Sequence, residues 1–176
     1  MTDEELKAAI VEHAYLEGEF VLRSGRTSNY YLDKYRFETQ PEVLRELGKR
    51  LAAAAAEREP EAIRLAGPEL GAVTLVAAAS LESGLPFLLV RKRAKEYGTA
   101  NRLEGAFAEH ERICLIEDIV TSGGEAAEAV EALRNAGLEV RTALCVVDRE
   151  EGAVDALARI GVRLEPLFRA SELLPG

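Results

Sequence analysis

Residues 113–120, Ile-Cys-Leu-Ile-Glu-Asp-Ile-Val, followed by Thr121-Ser122-Gly123-Gly124, constrain the fold more than any other stretch of the chain. A short apolar run, 113–117, leads into the adjacent carboxylates Glu117 and Asp118. A small hydroxyl- and glycine-rich loop comes next, and then a helical pattern begins. Apolar runs of this length without alternation are typical of strands buried on both faces of a parallel sheet. In open α/β sheets the ligand crevice lies just beyond the carboxyl ends of such strands.

The loop has a matching chemistry. Thr121, Ser122, Gly123 and Gly124 can turn several backbone N–H groups toward one phosphate, with a helix N-terminus behind them. Glu117 and Asp118 stand where they can hold the hydroxyls of a sugar. A ribose 5-phosphate satisfies both halves. The pairs Glu-Asp and Gly-Gly in isolation favour an acidic strand end and an ordinary turn; the whole string with its apolar flank reverses that preference in favour of the ligand site. No Gly-x-x-x-x-Gly-Lys-Ser/Thr occurs, which argues against a P-loop nucleoside triphosphatase, and no Gly-x-Gly-x-x-Gly follows a strand, which argues against a Rossmann dinucleotide site.

The remaining sequence alternates between strand and helix patterns. Thr2 and Glu5 form a capping-box pair ahead of a first helix with Leu6, Ala9, Ile10 and His13 on one face, closed by Gly18. Residues 19–23 and 28–33 read as short strands. Pro41 opens a helix over 41–58, including the alanine run 52–56. Strands follow at 63–66, 87–90, 113–117, 140–147 and 162–168, and helices at 70–83, 123–136 and 152–159, with a polar loop over 92–111. This order predicts an α/β fold, a central parallel sheet flanked by helices, with residues 1–40 forming an N-terminal helix and hood and 41–176 the core of one structural unit.

With 176 residues, 48% hydrophobic and 30% charged, the chain suits one soluble domain. No apolar run approaches the ~20 residues that span a bilayer, and the acidic start, Asp3-Glu4-Glu5, is unlike a signal or transit peptide, so the expectation is a cytoplasmic protein away from membranes. A net charge of −9 disfavours nucleic-acid binding. Cys114 and Cys145 fall in expected core strands and read as reduced structural residues. Against this acidic background, Arg91, Lys92, Arg93, Lys95 and Arg102 cluster in one long loop, 91–107, with Gly98 and Gly105 as pivots. That pattern suits a lid closing on a polyanion, the alternative being a solvated charged loop.

The string 113–124 resembles the phosphoribosyl-diphosphate signature of type I phosphoribosyltransferases. Three further segments resemble the orotate phosphoribosyltransferase family: Leu22-Arg23-Ser24-Gly25-Arg26-Thr27-Ser28-Asn29-Tyr30-Tyr31-Leu32-Asp33 its hood motif, Val90-Arg91-Lys92-Arg93-Ala94-Lys95-Glu96-Tyr97-Gly98-Thr99 its catalytic loop, and Val146-Val147-Asp148-Arg149-Glu150-Glu151-Gly152 its base-recognition segment. They occur in the family's order over nearly the whole chain. The resemblance implies transfer of 5-phosphoribosyl from 5-phosphoribosyl 1-diphosphate to orotate, giving orotidine 5′-phosphate and diphosphate in pyrimidine biosynthesis. It implies that Glu117 and Asp118 contact the ribose hydroxyls and that residues 119–125 (Ile119, Val120, Thr121, Ser122, Gly123, Gly124 and Glu125) take the phosphoribosyl end of the donor. Thr121, Arg149, Arg23, Tyr30 and Tyr31 would surround orotate. Lys95, Lys92, Arg91 and Asp118 would carry catalysis, with Lys92 on its own subunit's diphosphate and Arg91 and Lys95 reaching the neighbouring site of a homodimer. Mg²⁺ would bind through the diphosphate, with Asp118 meeting it through water and no protein group ligating it directly. The chain departs from many relatives at Tyr97, where they carry His, and at Leu70 in the diphosphate turn 67–71, where some carry Lys; in relatives this turn can hold a non-proline cis peptide. A phosphoribosyltransferase for a purine or uracil, an RNA-binding regulator on the same fold and a non-catalytic ribose-phosphate binder are the rival readings.

Overall fold

A computed structural model describes residues 1–21, 25, 27–93 and 102–173. Expected strands and helices alternate as the sequence pattern requires. In chain order they are α1 (Asp3–Ala14), β1 (Tyr15–Val21), β2 (Thr27–Leu32), α2 (Lys34–Glu38), α3 (Pro41–Arg58), β3 (Arg64–Pro68), α4 (Val73–Ser83), β4 (Phe87–Val90), β5 (Leu103–Glu104), β6 (Arg112–Val120), α5 (Gly124–Asn135), β7 (Glu139–Asp148), α6 (Ala153–Arg159), β8 (Arg163–Arg169) and α7 (Ala170–Leu173). The main sheet has the order β5-β4-β3-β6-β7-β8. All its pairs are parallel except β4–β5. β6 therefore lies inside the sheet, with β3 and β7 as neighbours.

Two hydrophobic clusters cover the two faces. On one, Leu6 and Ile10 of α1, Phe37 of α2, Leu47 and Leu51 of α3 and Leu75 and Val76 of α4 pack on Cys114, Ile116 and Leu144. On the other, Ala129, Val130 and Leu133 of α5 and Leu157 of α6 pack on Ile113, Leu115, Ala143 and Cys145. The split follows the period of two along β6, since successive side chains leave a strand on opposite faces. Both cysteines are buried and free. Among the described residues no helix is long and apolar enough to cross a membrane.

Several local expectations are corrected. The first helix ends at Ala14 rather than at Gly18. The chain enters β1 at Tyr15, where Tyr15 and Phe20 stack against the tyrosines of β2, and Gly18 lies where the β1–β2 register shifts, between Glu17 and Phe20. The acids of β6 are not its end. Ile119 and Val120 continue the ladder, pairing with Val147 and Asp148, because β-branched residues suit a strand as well as those before them. The polar loop expected over 92–111 contains β5, which covers the edge of β4. Helix α4 begins at Val73, not residue 70, since residues 69–72 form a turn directly after β3; the peptide between Glu69 and Leu70 is cis. The short α2 lies inside a stretch left without an element, and residues 170–173 add α7 after the last expected strand.

Leu47 is fully buried between α1, α3 and the sheet. Leu47→Ala should lower stability by about 2–5 kcal/mol, whereas the volume-conserving Leu47→Met should cost less than about 1.5 kcal/mol, measured by denaturant unfolding. Equal losses in both variants would contradict this core assignment.

Candidate functional site

The carboxyl ends of β3, β6 and β7 converge on one region. β6 delivers Val120 to its tip, and the chain turns through Thr121, Ser122 and Gly123 into α5. Gly123 is the N-cap, with φ of +83°, and a Cβ there would sit 3.2 Å from Ala153 Cα, so both backbone shape and the close approach of α6 call for glycine. No side chain caps α5, and Thr121, Ser122, Gly124 and Glu125 are exposed. The N-cap offers the first-turn amides no side-chain acceptor, which is the form an anion-binding helix start takes.

Glu117 and Asp118 are only 6% and 3% exposed. By the period of two, Glu117 belongs to the face of Ile113 and Leu115 and Asp118 to that of Cys114 and Ile116. Glu117 Oε1 has no hydrogen-bond partner among the described residues. Burial pushes its pKa up to about 8, with the charge of Asp118 acting in the same direction. Asp118 Oδ1 accepts the N–H of Ile119 at 2.5 Å, and its Oδ2 pairs with Lys34 Nζ at 2.5 Å. Burial alone would lower the Lys34 pKa; the attraction and hydrogen bond of Asp118 outweigh it, and the ammonium stands above its ordinary value. Glu38, one turn further along α2, is 1% exposed and accepts from Thr74 Oγ1 at 3.4 Å. Its Oε1 has no partner among the described residues, and burial, then the charge of Asp118, raise its pKa to about 8.

On the β7 side, the Arg149 N–H donates to the Val120 carbonyl at 2.8 Å, which ties the segment after β7 to the tip of β6. The Arg149 guanidinium lies 5.7 Å from the Tyr30 ring centroid and 3.3 Å from Glu151 Oε1. Tyr30 in turn stacks on Tyr15 at 5.8 Å. Tyr31, on the opposite face of β2, packs against Phe20. The structure thus brings Tyr30, but not the side chain of Tyr31, to Arg149.

On the β3 side, Glu69 anchors its turn by donating its N–H to the Val90 carbonyl at 2.8 Å, and its Oε1 accepts the N–H of Lys92 at 2.9 Å. Lys92 Nζ is 3.5 Å from Glu125 Oε1, so it spans the turn and the start of α5. Arg91 pairs with Glu104 at 3.3 Å. A cavity of about 120 Å³ is lined by Glu69, Arg91, Lys92, Arg102 and Glu125. A larger cleft of about 590 Å³ lies at the opposite end of the strands, around Arg112 and Arg163, whose guanidiniums are already paired with Glu59, Glu61, Glu139 and Glu165. Arg23 and Lys95, with Tyr97, fall outside the described residues.

Lys34, Glu38 and Thr74 were not singled out from the sequence. Lys34 carried one signal: it is the first cation after the Tyr30-Tyr31 pair, on a chain that must pass the site. Glu38 and Thr74 carried none, because a lone acid and a lone hydroxyl on helices look solvated until packing buries them.

No protein-family model matches the chain. A protein of Halobacterium salinarum named orotate phosphoribosyltransferase is 50% identical over 173 residues, covering 98% of this chain and 97% of the relative. The crystal structure of orotate phosphoribosyltransferase from Aeropyrum pernix matches with a TM-score of 0.85 and 32% identity over 99% of this chain and 96% of the other. The orotate phosphoribosyltransferase of Mycobacterium tuberculosis in complex with 5-phospho-α-D-ribosyl 1-diphosphate matches with a TM-score of 0.79 and 26% identity, covering 96% of each chain.

The raised carboxyl pKa values set a pH dependence. Between about pH 4.5 and 8 the folded chain keeps protons on Glu38 and Glu117 that the unfolded chain has released, so these two groups make stability fall as pH rises through that window. Relative to the parent chain, Glu38→Gln should therefore gain melting temperature from pH 5 to pH 8. A difference that stays flat or falls would contradict the burial of this acid.

Proposed function

This chain belongs to the orotate phosphoribosyltransferase family, and we propose how its site residues divide the transfer of phosphoribosyl from 5-phosphoribosyl 1-diphosphate to orotate. It is a pentosyltransferase with a mostly parallel sheet flanked by helices. The single observation that carries the division is the convergence at the strand ends: an uncapped helix start at 121–125, a buried acid pair beside it, and Arg149 bonded through its backbone to the tip of β6.

In this reading, the amides from Thr121 to Glu125 take the 5′-phosphate, while Asp118 and Glu117 receive the ribose. Arg149, with Thr121, Arg23 and the hood backbone at Tyr30 and Tyr31, holds orotate. Residues 1–40 act as the hood and 41–176 as the catalytic core. As the bond to diphosphate breaks, the ribose gains oxocarbenium character, as in glycoside hydrolysis. Asp118 places negative charge near that ring, with Glu117 on the ribose hydroxyls, while Lys92 and Lys95 neutralise the departing diphosphate where water is excluded. Orotate reacts through its ring nitrogen as an anion and needs little base catalysis.

Mg²⁺ suits this donor set. β6 offers two carboxylates, Glu117 with an unpartnered oxygen, and among the described residues no group of three or more acid, His or Cys side chains could hold a metal. An ion that keeps its waters and binds phosphate oxygens fits such a site, with Asp118 reaching it through water. When bound, it would offset diphosphate charge. Arg91 and Lys95 reaching a neighbouring site would make the working form a homodimer, and a cytoplasmic enzyme is the reading we favour.

The purified chain with orotate, the donor and Mg²⁺ should form orotidine 5′-phosphate and diphosphate, followed by chromatography. Adenine, hypoxanthine and uracil should give no nucleotide, and a chelator should stop the reaction. Preference for another base would overturn the orotate assignment.

A further inference from the structure

Lys34 opens a helix of five residues that matches no ligand-binding motif, yet its ammonium lies at the centre of the site. Three chain segments meet there. α2 brings Lys34 Nζ to within 2.5 Å of Asp118 Oδ2. β6 presents Asp118 with its other oxygen already engaged by the Ile119 N–H. The turn after β3 presses its backbone against the pair: a Cβ on Gly71 would overlap Asp118 Oδ2 and lie 2.7 Å from Lys34 Nζ. The start of α2 is itself fixed, because Asp33 caps Tyr35 N–H and donates its own N–H to the Ala14 carbonyl at 2.9 Å. The Tyr35 ring then flanks the ammonium at 5.4 Å.

This geometry leaves Asp118 little freedom. One oxygen is held by the Ile119 N–H, the other by Lys34, and Gly71 lies against the pair. Glu38 and Glu117 are buried nearby, so the loss of the ammonium would leave Asp118 beside other carboxyl groups with its cation gone.

We propose that Lys34 is a positioning residue for phosphoribosyl transfer: its ammonium fixes the Asp118 carboxylate against Gly71 in the orientation that receives the donor's ribose. The proposal rests on residues 117–125 being the ribose-phosphate site. Lys34 acts through Asp118 and not on the reacting atoms. Glycine at position 71 is then a requirement of the same pair.

Steady-state kinetics on the full chain tests this with Lys34→Met, which keeps the stem and removes the charge, and Lys34→Arg, which keeps the charge. Lys34→Met should raise the donor KM by about tenfold or more and leave the orotate KM within about twofold, while Lys34→Arg should recover most of the loss. In a double-mutant cycle, adding Lys34→Met to Asp118→Asn should bring no further loss, since the residue it serves is already gone. If Lys34→Met alone folds poorly, comparison of Asp118→Asn with the double variant, which lacks both charges, still tests the proposal: a further loss of donor binding in the double variant overturns it. A parent-like donor KM in Lys34→Met, equal losses in the Met and Arg variants, or additive losses in the cycle would each overturn the assignment. The parent chain assayed alongside reports separately on the site itself, which fails only if it forms no orotidine 5′-phosphate.

Discussion

Two carboxylates carried side by side into the interior of a sheet set the terms for the rest of this structure. Moving an ion out of water costs several kcal/mol even after relaxation, on the order of the whole stability of a small domain. Glu117 and Asp118 meet that cost differently. Asp118 is compensated by the Lys34 ammonium and a backbone N–H, whereas Glu117 has an oxygen with no partner among the described residues and a pKa raised to about 8. A group left in that condition is a marker of function, because packing alone would favour an apolar residue there.

The fold exists around β6 in a literal sense. Its apolar residues hold the two layers together, Cys114 and Ile116 toward α3 and α4, Ile113 and Leu115 toward α5 and α6. The same strand, continued to Val120, lifts the 121–125 loop clear of the core and lets Arg149 attach to its tip from β7. The N-terminal segment is not a loose appendage. Leu6, Ile10 and Phe37 belong to the main core, which anchors the β1–β2 hairpin so that Tyr30 stands over Arg149 and Lys34 beneath Asp118.

Much of this was legible in the sequence, for reasons that differ by element. The helix expected from Pro41 over 41–58 is α3 at those bounds, because Val43, Leu47 and Leu51 repeat along one face and Pro at the start fixes the beginning. The strand at Phe87–Val90 is likewise as expected, short and continuous in apolar residues. The loop at 121–125 could be read because its chemistry is local: backbone amides, a glycine in a left-handed turn and a following helix lie within a few residues of one another. The Lys34–Asp118 pair could not, since it joins positions distant in sequence and only the assembled sheet brings them together. α2 escaped notice because five residues show no periodicity, and β5 because two residues in a basic loop look like loop. In sequence the acids resemble a strand end because polar residues usually mark one; in the fold they are interior to the strand.

The account stands or falls on where a phosphoribosyl group sits. A crystal structure with orotidine 5′-phosphate measures it directly. The 5′-phosphate should lie on the amides of residues 121–125, with the ribose hydroxyls within hydrogen-bonding distance of Asp118 or Glu117 and the pyrimidine beside Arg149. A nucleotide bound elsewhere, or a phosphate held away from the start of α5, would contradict it.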